Sequence, residues 1–129
     1  MSFTLTWSRN QRIVDLHCTG DMTFEEIERI VSRYTEMILM GDPPVHTIAD
    51  IRDVSTFPRD VLRLRAALTS VRITNGQLGW IVIVAEASPL KRFFASLIAQ
   101  IVIPGVKLQF QDTAEDALAF LASVDDTLM

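Results

Sequence analysis

Phe3, Leu5 and Trp7 alternate with Thr4, Thr6 and Ser8. That period of two, in residues that favour extended backbone, predicts a half-buried strand. Asn10-Gln11 supplies a tight turn, and Arg12 to Cys18 follows as a second strand with Val14, Leu16 and Cys18 on one face. So short a link makes the pair an antiparallel hairpin. Gly20-Asp21 ends it, and the period lengthens. Thr23 with Glu26 three residues on is a capping box, with Met22 and Ile27 placed as a hydrophobic staple. Phe24, Ile27, Ile30, Val31, Tyr34, Met37 and Ile38 recur at helical spacing. Gly41 is placed to end that helix in a left-handed conformation, and Pro43-Pro44 blocks its continuation.

His46 to Ile51 does not alternate, which suits a strand covered on both faces. Arg52-Asp53-Val54-Ser55-Thr56 reads as a polar loop, and Pro58 sits at a first helical position. The second helix runs from there to about Arg72, where Asn75-Gly76 breaks it; Val61, Leu62, Leu68 and Val71 form its apolar stripe. Leu78 to Ala85 is the most hydrophobic stretch and the best central strand. Ser88-Pro89 opens a third helix with a wide stripe of Leu90, Phe93, Phe94, Leu97, Ile98, Ile101 and Val102, stopped by Pro104-Gly105. Val106, Leu108 and Phe110 alternate as a last strand. Asp112 or Thr113 caps the final helix, whose inner face is Ala114, Ala117, Leu118, Leu121 and Val124; the polar tail from Asp125 is expected to fray.

The order ββαβαβαβα predicts an α/β fold: a mixed, mostly parallel five-stranded sheet with four helices, in a single domain over residues 1–129. Composition narrows the possibilities. With 49% hydrophobic and 22% charged residues the chain is not disordered. A net charge of −4 argues against a nucleic-acid binder that relies on a basic field. No apolar run reaches the roughly 18 residues of a membrane span, and the N-terminus lacks a signal-peptide pattern. Cys18 is the only cysteine, so no intrachain disulfide is possible, which suits a cytoplasmic location. One Cys and two distant His make a poor zinc set. Neither a metal nor a cofactor is expected.

Ligands of open α/β sheets favour the loops beyond the carboxyl ends of strands. Here those are Asp50 to Thr56 and Glu86-Ala87-Ser88, each ahead of a helix N-terminus suited to anions. Ser55 and Thr56 are candidate phosphate or phospho-acceptor positions, with helix capping as the plainer role. Asp50 ends an apolar strand and needs a partner. Arg52 or Arg59 would supply an ion pair; a catalytic role for Asp50 or Asp53 is the rival. His17 reads as an exposed sheet residue, and His46 as a strand-end hydrogen-bonding group. Nucleophile-elbow, zincin, P-loop and dinucleotide fingerprints are absent. Arg59, Arg63, Arg65 and Arg72 make the second helix locally basic, either a solvated face or a dock for an acidic partner. Leu90, Phe93, Phe94 and Leu97 exceed what one core face needs, so they mark either a wide core stripe or an oligomer or apolar-ligand surface.

Ile48-Ala49-Asp50-Ile51-Arg52-Asp53-Val54-Ser55-Thr56-Phe57 resembles the third strand and following loop of the STAS, or SpoIIAA-like, anti-sigma-factor-antagonist family. Phe110 to Leu121, where a short acidic cap precedes an alanine-leucine face, resembles the family's last strand and helix. The resemblance covers nearly the whole chain in topology and implies a regulatory domain. Phospho-switched members carry Asp-Ser-Ser/Thr-Gly at the start of the second helix. This chain has Pro58-Arg59-Asp60-Val61 there, with Asp60 on the column of the phosphorylated serine. Negative charge is thus present, without a serine to modify.

Three functions stay open. The leading one is a non-enzymatic regulatory or scaffolding domain that binds a protein partner through Asp53, Ser55, Thr56, Arg59, Asp60 and Arg63, without the serine switch. The second is a small apolar-ligand or lipid-binding carrier. The third is a small enzyme using Asp50 or Asp53. A homodimer, through the third helix or the opening hairpin, is the expected assembly.

Overall fold

A computed structural model of the chain describes residues 3–9, 11–58, 60, 63, 76–86, 88–102 and 105–128. Among them, five strands form one sheet in the order β1-β2-β3-β4-β5. They are β1 (Phe3–Ser8), β2 (Ile13–Asp21), β3 (Val45–Thr56), β4 (Leu78–Val84) and β5 (Lys107–Gln111). β1 is antiparallel to β2, pairing Phe3 with Cys18 and Ser8 with Ile13, and the remaining neighbours are parallel. The helices are α1 (Phe24–Met40), α2 (Pro89–Val102) and α3 (Ala114–Val124), followed by a short 3-10 turn at Asp126–Leu128. This is the mixed α/β sheet that the pattern predicts. Of the helix expected from Pro58 to about Arg72, only Pro58, Asp60 and Arg63 belong to the described residues; the rest lies outside them, as does Arg59.

Each parallel strand is added on the same side of the last. Crossovers of one hand that advance in one direction set their helices on one face. α1 and α2 accordingly share a face: Ile27, Ile30, Val31, Tyr34 and Ile38 of α1 and Ala95, Ile98 and Ile101 of α2 join Val14, Cys18, Ile81 and Ile83 of the strands. α3 covers the other face, where Ala117 and Leu121 are fully buried against Ile13, Ile48, Val82 and Val84. Ile81 and Ile83 point one way and Val82 and Val84 the other, which explains why β4 is apolar at consecutive positions. β3 is the middle strand and β4 its inner neighbour.

Local chemistry starts the helices where expected. The Glu26 N–H donates to Thr23 Oγ1 at 3.2 Å, and the Asp116 N–H to Thr113 Oγ1 at 3.1 Å. Gly41, however, is not left-handed: it is extended, with φ −81° and ψ 176°. Space, rather than φ, selects glycine there. A Cβ would lie 2.5 Å from Val45 Cγ2 and 2.9 Å from Trp7 Cη2.

Two segments expected as loop and tail are ordered. β3 continues through Arg52 to Thr56 because β2 also runs on to Asp21, pairing Thr19 with Asp53, Gly20 with Val54 and Asp21 with Thr56 across bulges. Buried Val54 anchors the extension. The tail is clasped rather than frayed. Asp125 Oδ2 accepts from Arg12 Nη2 and His46 Nε2, both at 2.8 Å, and Arg12 Nη1 donates to Thr127 Oγ1 at 3.0 Å. His46 Nδ1 accepts from the Trp80 N–H at 2.9 Å. The proton therefore sits on Nε2, facing Asp125. Trp80 is half-buried, edge-on to Phe120 at 5.1 Å. Within the predicted inner face of α3, Ala114 and Val124 are exposed.

Candidate functional site

The carboxyl ends of β2, β3 and β4 form one surface with the start of α2. Asp50, the last residue of β3 in register with β4, holds Arg52 in a two-pronged pair, with Nε to Oδ1 at 3.0 Å and Nη2 to Oδ2 at 2.8 Å. The Arg52 N–H also donates to Asp50 Oδ1 at 3.0 Å. Burial pushes the Asp50 pKa up. The side-chain and backbone hydrogen bonds from Arg52, with the charges of Arg52 and His17, outweigh it and hold the carboxyl below its ordinary value. A carboxylate so committed is a poor proton carrier near neutrality. This geometry is the ion pair expected of Asp50.

Neighbouring charges are tied into the same surface. His17 Nε2 and Asp53 Oδ2 lie 3.0 Å apart, both side chains exposed. Thr56 Oγ1 donates to Asp21 Oδ1 at 2.9 Å. Lys91, in the first turn of α2, donates to the Arg52 carbonyl at 2.6 Å and to Glu86 Oε1 at 2.8 Å. Arg92 donates to the Ala85 carbonyl and to Asp112 Oδ1, each at 3.0 Å. Two adjacent cationic side chains thus lock the N-terminus of α2 onto the ends of β3 and β4.

That lock sets the posture of the aromatic residues. Phe94 stacks on Phe57 with ring centroids 5.8 Å apart, and Phe93 meets Phe94 edge-on at 5.5 Å. Phe93 is 60% exposed and Leu90 63%, while Phe94 and Leu97 are half-buried. The wide stripe therefore divides. Ile98 and Ile101 face the core, and Leu90 and Phe93 form an apolar ledge on the helix turn that carries the Lys91–Glu86 and Arg92–Asp112 pairs.

The other predicted residues fall around this surface. Ser55 is exposed near the end of β3. Asp60 Oδ1 accepts the Arg63 N–H at 3.0 Å, a capping bond three residues long. Arg63 lies over the Phe24 ring at 3.9 Å and 3.8 Å from Glu25 Oε1, so it faces the start of α1. His17, Phe57 and Lys91 belong to the surface and are not among the predicted site residues, whereas Glu86 lies in the second of the two predicted ligand loops. A parallel β2 puts His17 at the same edge as Asp53, a relation that strand direction alone would reveal. Among the described residues no group of three or more His, Cys, Asp or Glu is placed to hold a metal ion.

SpoIIAA in its unphosphorylated form is similar to the chain over 96% of its length and 99% of that protein, with a TM-score of 0.58 and 17% identity. The fold is SpoIIAA-like. The phosphorylated form of the Bacillus cell fate determinant SpoIIAA is similar over 93% of this chain and 99% of its own, with a TM-score of 0.55 and 16% identity. An uncharacterized protein of the DUF3478 family from Shewanella loihica PV-4, itself with a SpoIIAA-like fold, covers 93% of this chain and 92% of its own, at a TM-score of 0.58 and 16% identity. No family model matches the sequence, and no curated protein does. At this identity the likeness is one of fold. No described helix is long and apolar enough to cross a membrane.

Proposed function

We propose that this SpoIIAA-like domain is a non-enzymatic regulatory or scaffolding module that acts by protein–protein contact at the carboxyl ends of its parallel strands. The observation that carries the reading is the ledge of Leu90 and Phe93, each more than half exposed yet fixed in place by Phe94, Phe57 and the Lys91 and Arg92 bonds. An exposed aromatic on a rigid base, flanked by paired charges, has the make-up of an interface centre with a polar rim. Its order in the free protein lowers the entropy lost on binding. Lys91–Glu86 and Arg92–Asp112, next to the ledge on the first turn of α2, supply that rim.

SpoIIAA has phosphorylated and unphosphorylated forms. In this chain Asp60 stands on the column of the family's phosphoserine, and its carboxylate caps a local turn. The module therefore presents constant negative charge there and works without a serine switch. Its partner is a different protein, with self-association through the ledge as the rival assembly.

Affinity purification from native cells tests this with wild type, Phe93→Glu, Asp60→Ala and Leu39→Glu; Leu39 is exposed at the far end of α1. One protein should be recovered in constant proportion with wild type and Leu39→Glu, and lost or reduced with the other two. Equal recovery by all four rules out the proposed surface. Sedimentation of the purified protein separates the rival: a dimer that Phe93→Glu makes monomeric would assign the ledge to a second copy.

A further inference from the structure

Behind the ledge, between the sheet and the helices α1 and α2, lies a half-enclosed cavity of about 120 Å³. Among the described residues the α1 wall is buried, as is the strand wall apart from Leu16, while Phe57 and the α2 wall are half-buried. Its origin is a mismatch in side-chain size. Ala49 of β3 and Ala95 and Ala99 of α2, one helical turn apart, leave space that the surrounding isoleucines do not fill. The four residues singled out from the sequence as an apolar-ligand surface, Leu90, Phe93, Phe94 and Leu97, are not part of its wall.

Among the described residues the wall carries almost no capacity to bind a polar molecule. Its two hydroxyls, Tyr34 and Thr47, are bonded to each other at 2.5 Å. Its thiol, Cys18, is pushed up to about 12, chiefly by burial and then by the charges of Asp50 and Glu26, so it stays protonated. A water molecule placed here would lack the two to four polar partners that hold buried water. An apolar cavity of about 150 Å³ in another protein stays dry and accepts benzene.

We propose that this cavity is a binding site for a small, uncharged, apolar molecule the size of one aromatic ring. The apolar wall sets the class, and the volume sets the size: a monocyclic arene or a short branched hydrocarbon fits, and a diacyl lipid does not. The cavity shares Phe57 with the protein-contact surface, but Leu90 and Phe93 are not in its wall and Ala95 and Ala99 are not in the ledge, so variants at those positions let either assignment fail without the other.

Toluene is the probe, with benzoate as its charged counterpart. Methyl NMR spectra of the full chain should show saturable shifts at Ile27, Ile81 and Ile83, with a rise in melting temperature that grows with toluene concentration. Benzoate should produce neither. Ala99→Leu fills the cavity and should abolish the saturable shifts; Ala95→Val is the second filling variant should the first not fold. Non-saturating shifts spread over surface methyls overturn the proposal, as do equal binding of benzoate or wild-type affinity in a folded filling variant. A diacyl lipid retained in native mass spectra would overturn the size assignment.

Discussion

Replacing Asp125 tests the clasp that joins the end of the chain to the starts of β2 and β3. In Asp125→Ala, His46 loses the acceptor for its Nε2 proton. The imidazole is 4% exposed and held on its other nitrogen by the Trp80 N–H, so it cannot turn to water. A buried donor left without a partner costs about 1–3 kcal/mol. Arg12 loses a charge-assisted bond worth about 1.5–3 kcal/mol, but its side chain is 14% exposed and recovers part of that from solvent. The two losses share one carboxylate and do not simply add; a total near 3 kcal/mol is expected. Asp125→Asn keeps an acceptor for His46 and loses only charge, for about 1–2 kcal/mol. The Asp125 carboxyl is held below its ordinary value, first by the His46 bond, then by the Thr127 hydroxyl against the opposing effect of burial, with the Thr127 N–H and the Arg12 charge adding to it. A depressed carboxyl contributes stability that is complete above its unfolded pKa, about 3.9, and is lost as pH falls toward the folded value. The gap between wild type and Asp125→Asn should thus be constant from about pH 5 to pH 8 and narrow below about pH 4. Urea unfolding followed by tryptophan fluorescence reads both effects. With a slope of about 2 kcal/mol/M, Asp125→Ala should lower the midpoint by about 1.5 M. A loss under about 1 kcal/mol near neutrality, or a gap that persists in acid, would refute the reasoning.

Four further outcomes are expected. Gly79→Ala places a methyl against the His46 ring, which is pinned at both nitrogens and cannot yield, so calorimetry should show a loss of about 2–3 kcal/mol. Leu121→Ala empties a fully buried position against Ile48, Val82 and Val84 and should cost about 2–5 kcal/mol in urea titrations. Val124→Ala, at a 43% exposed site one turn on, should cost under about 1 kcal/mol. Cys18 is buried with its thiol pushed up to about 12; alkylation should be slow in the native protein and should rise with denaturant in step with unfolding.

Much of the architecture is legible locally. The alternation of Phe3, Leu5 and Trp7, the Thr23–Glu26 cap and the unbroken apolar run of β4 each depend on neighbours within a turn or a pleat. From them the order of elements follows, and from the order the sheet. The candidate surface was legible in part, because strand ends can be located while their partners cannot. Asp53 and Thr56 were expected in a loop. Their strand conformation depends on β2 continuing beside them, and Lys91 reaches the Arg52 carbonyl from 39 residues away. Gly41 was selected by the approach of Trp7 and Val45, which no local rule contains. Arg12 and Asp125 stand 113 residues apart in the chain, and nothing near either one announces the pair. The cavity depends on Ala49, Ala95 and Ala99 lining one space, although each is an ordinary small residue within its own element. Within the described residues the sequence by itself determined the order of strands and helices and most of the faces they bury, because periodicity and capping act over a few residues. The tertiary structure decided the clasp, the ledge and the cavity, because these come from side chains brought together only when the strands are in register.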